Sequence, residues 1–241
     1  YTDREEVARL VSRYDYLAVP VVDDDNRMVG IVTVDDVIDI LHEAATEDML
    51  LMAGVGEEYV ETQTVLRGTR TRLPWLFASF LGGVAAFSII GGFEDNLAKM
   101  TSLAAFIPVI MGMGGNIGTQ SSTIVVRGIA TGRIDLGDFS KVVSKEFAVG
   151  LILGIVYGVF IGIIAKVTFA SEAFSMALAF SVGLAIISSM TIAALVGSMV
   201  PLILEKLHID PAVATGPFVT TSIDIVSVYC YFMIASKLLG L

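Results

Sequence analysis

The chain has 241 residues, 55% of them hydrophobic and 17% charged, with a formal net charge of −10. That balance is too apolar for an ordinary soluble domain, and membrane insertion is the leading class. Residues 1 to 61 hold most of the acids while long later stretches hold no charge at all, so two regions facing different solvents are expected.

Tyr1 opens a charged decapeptide with no basic segment or apolar core, so no secretory signal is visible and a fragment boundary fits the start. Residues 5–16 place Val7, Leu10, Val11 and Tyr14 at helical spacing. Leu17 to Val22 reads as a strand ended by the acidic turn Asp23 to Asn26, and Met28 to Val34 as a second strand. Asp35 opens a helix through Leu41 whose buried face is Val37, Ile38 and Leu41. This α-β-β-α unit, residues 1–45, is small for an independent core and is expected to pack on something. Residues 46–72 are polar and helix-compatible, are interrupted by Gly54, Gly56 and Gly68, and close with Arg67, Arg70 and Arg72. They read as a connector reaching the membrane surface.

Five apolar stretches follow in residues 73–241, at 73–92, 101–126, 147–169, 173–204 and 212–236. Each meets the ~20 residues that a spanning helix needs. Arg67, Arg70, Arg72, Arg127, Arg133, Lys141, Lys145 and Lys206 flank one side, against Lys99, Lys166 and Lys237 on the other. The excess puts the N-terminus in the cytoplasm, with 128–144 and 205–210 inside and the C-terminus outside the plasma (inner) membrane. Trp75 suits an interfacial position. Cys230 lies alone in the last span, so no intrachain disulfide is expected.

Asp224 sits in the middle of the fifth span. A carboxylate in hydrocarbon costs at least ~2.5 kcal/mol, so such a residue usually faces a water-filled path or a cation. A protonated Asp bonded to a neighbouring helix is the alternative. Thr220 and Asp224 are four residues apart and share a helix face, which can offer oxygens to a metal or to its water shell, and Thr221 and Ser222 add further hydroxyls. The second span is interrupted by Pro108 and by a glycine-rich run from Gly112 to Ser122. Irregular backbone beside an aqueous cavity, lined by Asn116, Thr119 and Gln120, is one reading, and close helix crossing at the glycines is the other.

In the first region Asp35, Asp36, Asp39, Glu43, Glu47 and Asp48 form an acidic run, with Glu5 and Asp15 on the first helix. A solvated face is the default; a hard cation neutralising mutually repelling carboxylates is the functional reading. His42 and His208 are too few and too separated for a His-based zinc site. No P-loop, GxSxG or dinucleotide fingerprint is present, so an enzyme has little support. No nucleic-acid partner is indicated.

The chain resembles the MgtE-type magnesium channels or transporters. The resemblance rests on Pro108, the run Gly114-Gly115-Asn116-Ile117-Gly118-Thr119-Gln120-Ser121, Arg127, Lys145-Glu146, Asp210-Pro211-Ala212 and Asp224, in that order. Leu17 to Asp23 and Gly30 to Asp36 resemble the later part of a CBS domain. The resemblance implies a mainly α membrane protein with five transmembrane helices per subunit, behind a partial α/β CBS module and a connecting helix after Glu57. It implies a homodimer with the pore on its axis, lined by the second and fifth spans, so that Asp224 occurs twice around one ion. Asp224, Thr220, Gly216, Asn116 and Thr119 would form the pore metal site. Pro108, Gly114, Gly115, Gln120, Glu146, Pro217 and Thr221 would support it. Glu5, Asp15, Asp36, Asp39, Glu47 and Asp48 would bind regulatory Mg2+ and hold the pore closed when the ion is plentiful.

Two departures stand out: Thr119 and Gly216 occupy positions where members often carry Asn, which is expected to alter selectivity or conductance. A complete CBS pair and the family's further N-terminal domain are also lacking. Complete CBS domains would be candidates for ATP, with Thr33 and Asp36 as contacts. Mg2+ heads the expected ions, and oxygen-only sites also admit Mn2+ and Co2+. Two rival functions share these residues: a proton- or sodium-coupled metal transporter, and a membrane-anchored adenine-nucleotide sensor.

Overall fold

The computed structural model describes residues 2–55, 64–170 and 174–241. The first helix, α1 (Arg4–Tyr14), starts where Asp3 accepts the Glu5 amide at 3.0 Å and ends where Asp15 turns left-handed, φ 53°. Strands β1 (Ala18–Val22) and β2 (Met28–Thr33) pair antiparallel. Their turn is fixed by Asp23, whose Oδ1 accepts the amides of Asp25 and Arg27. A capping box of Thr33 and Asp36 then opens α2 (Val34–Met52).

The module has a core of Ala8, Val11 and Val37, with Val7, Val19, Val32 and Ile40 against it. Ile38 and Leu41, expected on the buried face, are exposed, as are Leu10 and Tyr14 of α1. One two-stranded sheet and two helices cannot cover both apolar faces, and Leu17, Met28, Val29 and Ile31 are left bare as well. These surfaces have the character of an interface rather than of an outer wall.

The connector differs from expectation. Helix α2 runs unbroken past residue 46 to Met52, because no Gly or Pro interrupts it, and it stops at Gly54, whose φ is +70°. Gly68 and the arginines at 67, 70 and 72 lie inside α3 (Val65–Gly92). Residues 56–63, with Gly56 and the start of the connecting helix expected after Glu57, fall outside the described residues.

Among the described residues five helices are long and apolar enough to span a bilayer. They are α3, α5 (Ile107–Ala130), α6 (Phe139–Thr168), α7 (Ser175–Lys206) and α9 (Pro217–Leu239). Short α4 (Glu94–Lys99) and a 3-10 turn at Thr101–Phe106 lead into α5, and α8 (Ala212–Thr215) leads into α9. Pro108 stands in the first turn of α5, where its missing N–H costs no helical bond, so it begins that span and does not interrupt it. The central helix is α7, packed on α5, α6 and α9, while α3 rests on α9 and is the least buried span.

Small residues set these crossings. Gly150, Gly154 and Gly158 repeat every fourth residue along the α6 face that meets α7. A β-carbon on Gly158 would come within 2.7 Å of the Gly183 carbonyl, and one on Gly183 within 2.9 Å of the Gly158 carbonyl. Lipid gives apolar helices no hydrophobic reason to associate, so close backbone contact supplies the attraction.

Candidate ion-pathway site

Helix α9 begins at a break. Asp210 accepts the Ala212 amide at 2.8 Å to start α8, and Gly216 (φ −78°, ψ −126°) separates α8 from α9. Pro217 takes the first position of α9. Two turns further on, Asp224 is half-buried, and among the described residues its carboxylate has neither a hydrogen bond nor an ion pair. Across from it is the backbone of Gly115, where an added β-carbon would lie 3.7 Å from Asp224 Oδ1.

The two helices run antiparallel. One turn from Gly115 towards the C-terminus of α5, the Thr119 hydroxyl donates to the Gly115 carbonyl at 2.9 Å. One turn from Asp224 towards the N-terminus of α9, the Thr220 hydroxyl donates at 3.3 Å to both the Gly216 and Pro217 carbonyls. Both threonines therefore lie on the module side of the carboxylate, each with its oxygen lone pairs still able to accept. Asn116 and Gln120 are exposed beside them, whereas Thr221 faces α3 and would collide with any side chain at Gly82.

The glycine-rich run of α5 is regular helix throughout, so its backbone is not irregular, and Gly114 and Gly118 serve close helix crossing. A β-carbon on Gly114 would meet Ser189 Oγ at 2.6 Å and Ser227 Oγ at 2.7 Å, and one on Gly118 would collide with Ile223. Those two serines, on α7 and α9, bond to each other at 2.7 Å, and Ser189 also donates to the Ile110 carbonyl of α5 at 3.4 Å. Sequence reasoning missed this tie; isolated hydroxyls in apolar helices were its only signal. Glu146, 5% exposed on α6, accepts from Ser121 of α5 at 2.7 Å, a second polar clamp on the same helix.

The module reaches the start of α9. A β-carbon on Gly54 would touch the Pro217 ring at 3.2 Å, and one on Gly216 would stand 3.3 Å from the Met52 carbonyl. Trp75 meets Phe218 edge-on at the same level, with ring centres 6.3 Å apart. From Gly216 to Asp224 is eight residues, about 12 Å of helix.

The acids of the module do not gather into one site. Glu5, Glu47 and Asp48 line a cleft of about 300 Å³ with Arg9, Arg127, Glu205 and Asp210. Burial, then the charges of Asp210 and Glu5, push the Asp48 carboxyl up, and Arg127 opposes them. Asp15, Asp36 and Asp39 are absent from this cleft. Asp36 is committed to its cap, where Oδ2 accepts the Thr33 amide at 3.0 Å and the Thr33 hydroxyl at 2.8 Å. These bonds, the backbone one first, hold its carboxyl low. Glu43 pairs with Arg4 at 3.8 Å on the surface. Among the described residues no three His, Cys, Asp or Glu side chains are close enough to hold a metal ion.

A family model for MgtE, described as a divalent cation transporter, matches residues 107–234, the stretch that holds both α5 and α9. The chain belongs to the MgtE family. A CBS-domain model matches residues 1–43. The chain is 40% identical over 234 residues to a protein of Enterococcus faecalis named magnesium transporter MgtE, covering 97% of this chain and 51% of that protein. Proteins of the same name from Bacillus subtilis and Thermus thermophilus are each 39% identical, over 97% and 99% of this chain and 51% and 52% of theirs. This MgtE-family chain thus spans about half the length of the curated relatives it matches. Their names are those of transporters, not enzymes.

Proposed function

We propose that the chain forms the pore portion of a magnesium channel in the plasma membrane, with Asp224 as the residue that meets the ion. What supports this reading most is an unpaired carboxylate held in a spanning helix against the bare backbone of Gly115. The names of relatives about 40% identical to it agree with magnesium as the cargo.

Mg2+ sheds water reluctantly and usually keeps several waters. In a homodimer, two Asp224 carboxylates would receive a hydrated ion through hydrogen bonds to its waters, with Asn116, Thr119 and Thr220 adding oxygens nearby. Pro108, Gly114, Gln120, Glu146, Pro217 and Thr221 shape or support the path. Thr119 and Gly216 tune its conductance. An inside-negative potential contributes about 2.3 kcal/mol per charge per 100 mV, about twice that for a dication, so passive entry needs no coupled ion.

Regulation is the second part of the proposal. The end of α2 abuts Gly216 and Pro217, and Glu5, Glu47 and Asp48 line the cleft beside it. Mg2+ in that cleft would offset their repulsion, hold α2 against α9 and close the path. Asp15, Asp36 and Asp39 would act at surfaces that complete CBS domains supply. The module side is cytoplasmic and the C-terminus lies outside.

Uptake into liposomes, followed with a magnesium-sensitive dye, tests conduction. Flux should follow an imposed potential with no proton or sodium gradient, and Mn2+ and Co2+ should compete to different degrees. Flux that requires a proton or sodium gradient would replace the channel with a coupled transporter.

A further inference from the structure

An apolar groove of about 530 Å³ follows the seam between α6 and α7. Its floor is the Gly158–Gly183 crossing, where the two backbones nearly touch, and its rims are Val159, Ile163, Phe180 and Leu184, all exposed. The single charged residue lining it is Lys166, near the end of α6 that points away from the module. Among the described residues Lys166 makes no ion pair. The groove follows α6 for about 12 Å from Gly158 to Lys166 and α7 for about 16 Å from Met176 to Ile187. Half of a hydrocarbon core ~30 Å thick is about the same length.

We propose that this seam binds an anionic glycerophospholipid, one acyl chain in the groove and the phosphate on Lys166. A groove of this volume left empty would forfeit dispersion contacts along both helices. In a bilayer the material at hand to fill it is a flexible hydrocarbon chain. A lysine at the outer end of a spanning helix extends its ammonium to the headgroup level, where an anion completes it. The site covers one leaflet, carries its cation at the headgroup end and is apolar elsewhere, which matches one lipid better than the flat, long contact of a second copy of the chain. The proposal is independent of the reading of Asp224.

Native mass spectrometry of the delipidated chain, titrated with phosphatidylglycerol or phosphatidylcholine, tests it. Phosphatidylglycerol should be retained with about fivefold preference, the equivalent of about 1 kcal/mol for one Lys at an anionic surface. Lys166→Gln should erase the preference. Val159→Trp, which fills the groove, should lower retention of both lipids, with Ile163→Trp in its place if the first variant melts early. Equal phosphatidylglycerol retention by the parent chain, Lys166→Gln and the filled variant would overturn the proposal. A filled variant that changes oligomeric state yet keeps its lipid would overturn it too, by giving the seam to a second copy.

Discussion

The carboxylate of Asp224 faces a glycine: a β-carbon on Gly115 would sit 3.7 Å from its Oδ1, in ordinary van der Waals contact. Gly115→Ala should therefore fold and keep uptake within about twofold, whereas Gly115→Val should crowd the carboxylate. Liposome uptake about tenfold lower in the valine variant, the effect of about 1.4 kcal/mol, is expected. Parent-level uptake in Gly115→Val would remove Gly115 from the path.

Gly197 behaves differently, because a β-carbon there would collide with the Gly118 carbonyl, and backbone cannot swing aside. Gly197→Ala should cost about 1–3 kcal/mol of packing. A lowered melting temperature in detergent checks it. Gly83→Ala, with nothing within 4 Å of the new carbon, is the control and should melt no lower than the parent chain.

The Asp48 carboxyl is held above its ordinary 3.8 by burial and by Asp210 and Glu5. A raised carboxyl favours the protonated folded form. Docking of the module is therefore strongest below the ordinary carboxyl value and weakens as pH rises through the raised one. Spin labels at Glu43 and Arg133 should report shorter distances at about pH 4 than at about pH 7.5 in chelator. Mg2+ at the higher pH should restore them, and Asp48→Asn should stay docked throughout. Identical pH profiles for Asp48→Asn and the parent would contradict this.

Asp36 and Asp39 should separate on substitution. The low Asp36 carboxyl means that its cap contributes stability above the ordinary carboxyl range and loses it as pH falls through the depressed folded value. Asp36→Ala should destabilise the module near neutrality and flatten the acid end of its pH–stability curve; Asp39→Ala, which removes no cap, should leave its melting temperature near that of the parent. With complete CBS domains, replacing both should weaken inhibition by Mg2+, and unchanged inhibition would return Asp39 to a solvated face.

The spans were legible because length and apolarity alone define a helix in lipid, where every backbone amide must be satisfied inside its own segment. The same rule explains why the α5 glycines stay helical: a regular helix satisfies every amide inside α5, and the missing side chains let α7 and α9 press directly on this face. Asp224 was legible as a charge with no local reason to be there. The opposition of Gly115 and Asp224 was not, since they lie 109 positions apart in the chain. Nor was the approach of Asp48 to Asp210, which depends on how α2 docks. The extent of α2 was missed because its apolar pattern fades after Leu41 while its backbone meets no breaker before Gly54.

Magnesium uptake by liposomes bearing Asp224→Asn, beside the parent chain at equal insertion and equal imposed potential, bears most directly on the path through α5 and α9. The side chain keeps its size and loses its charge. Uptake should fall at least about tenfold, to the level of protein-free liposomes. Uptake equal to that of the parent would mean that the ion crosses elsewhere.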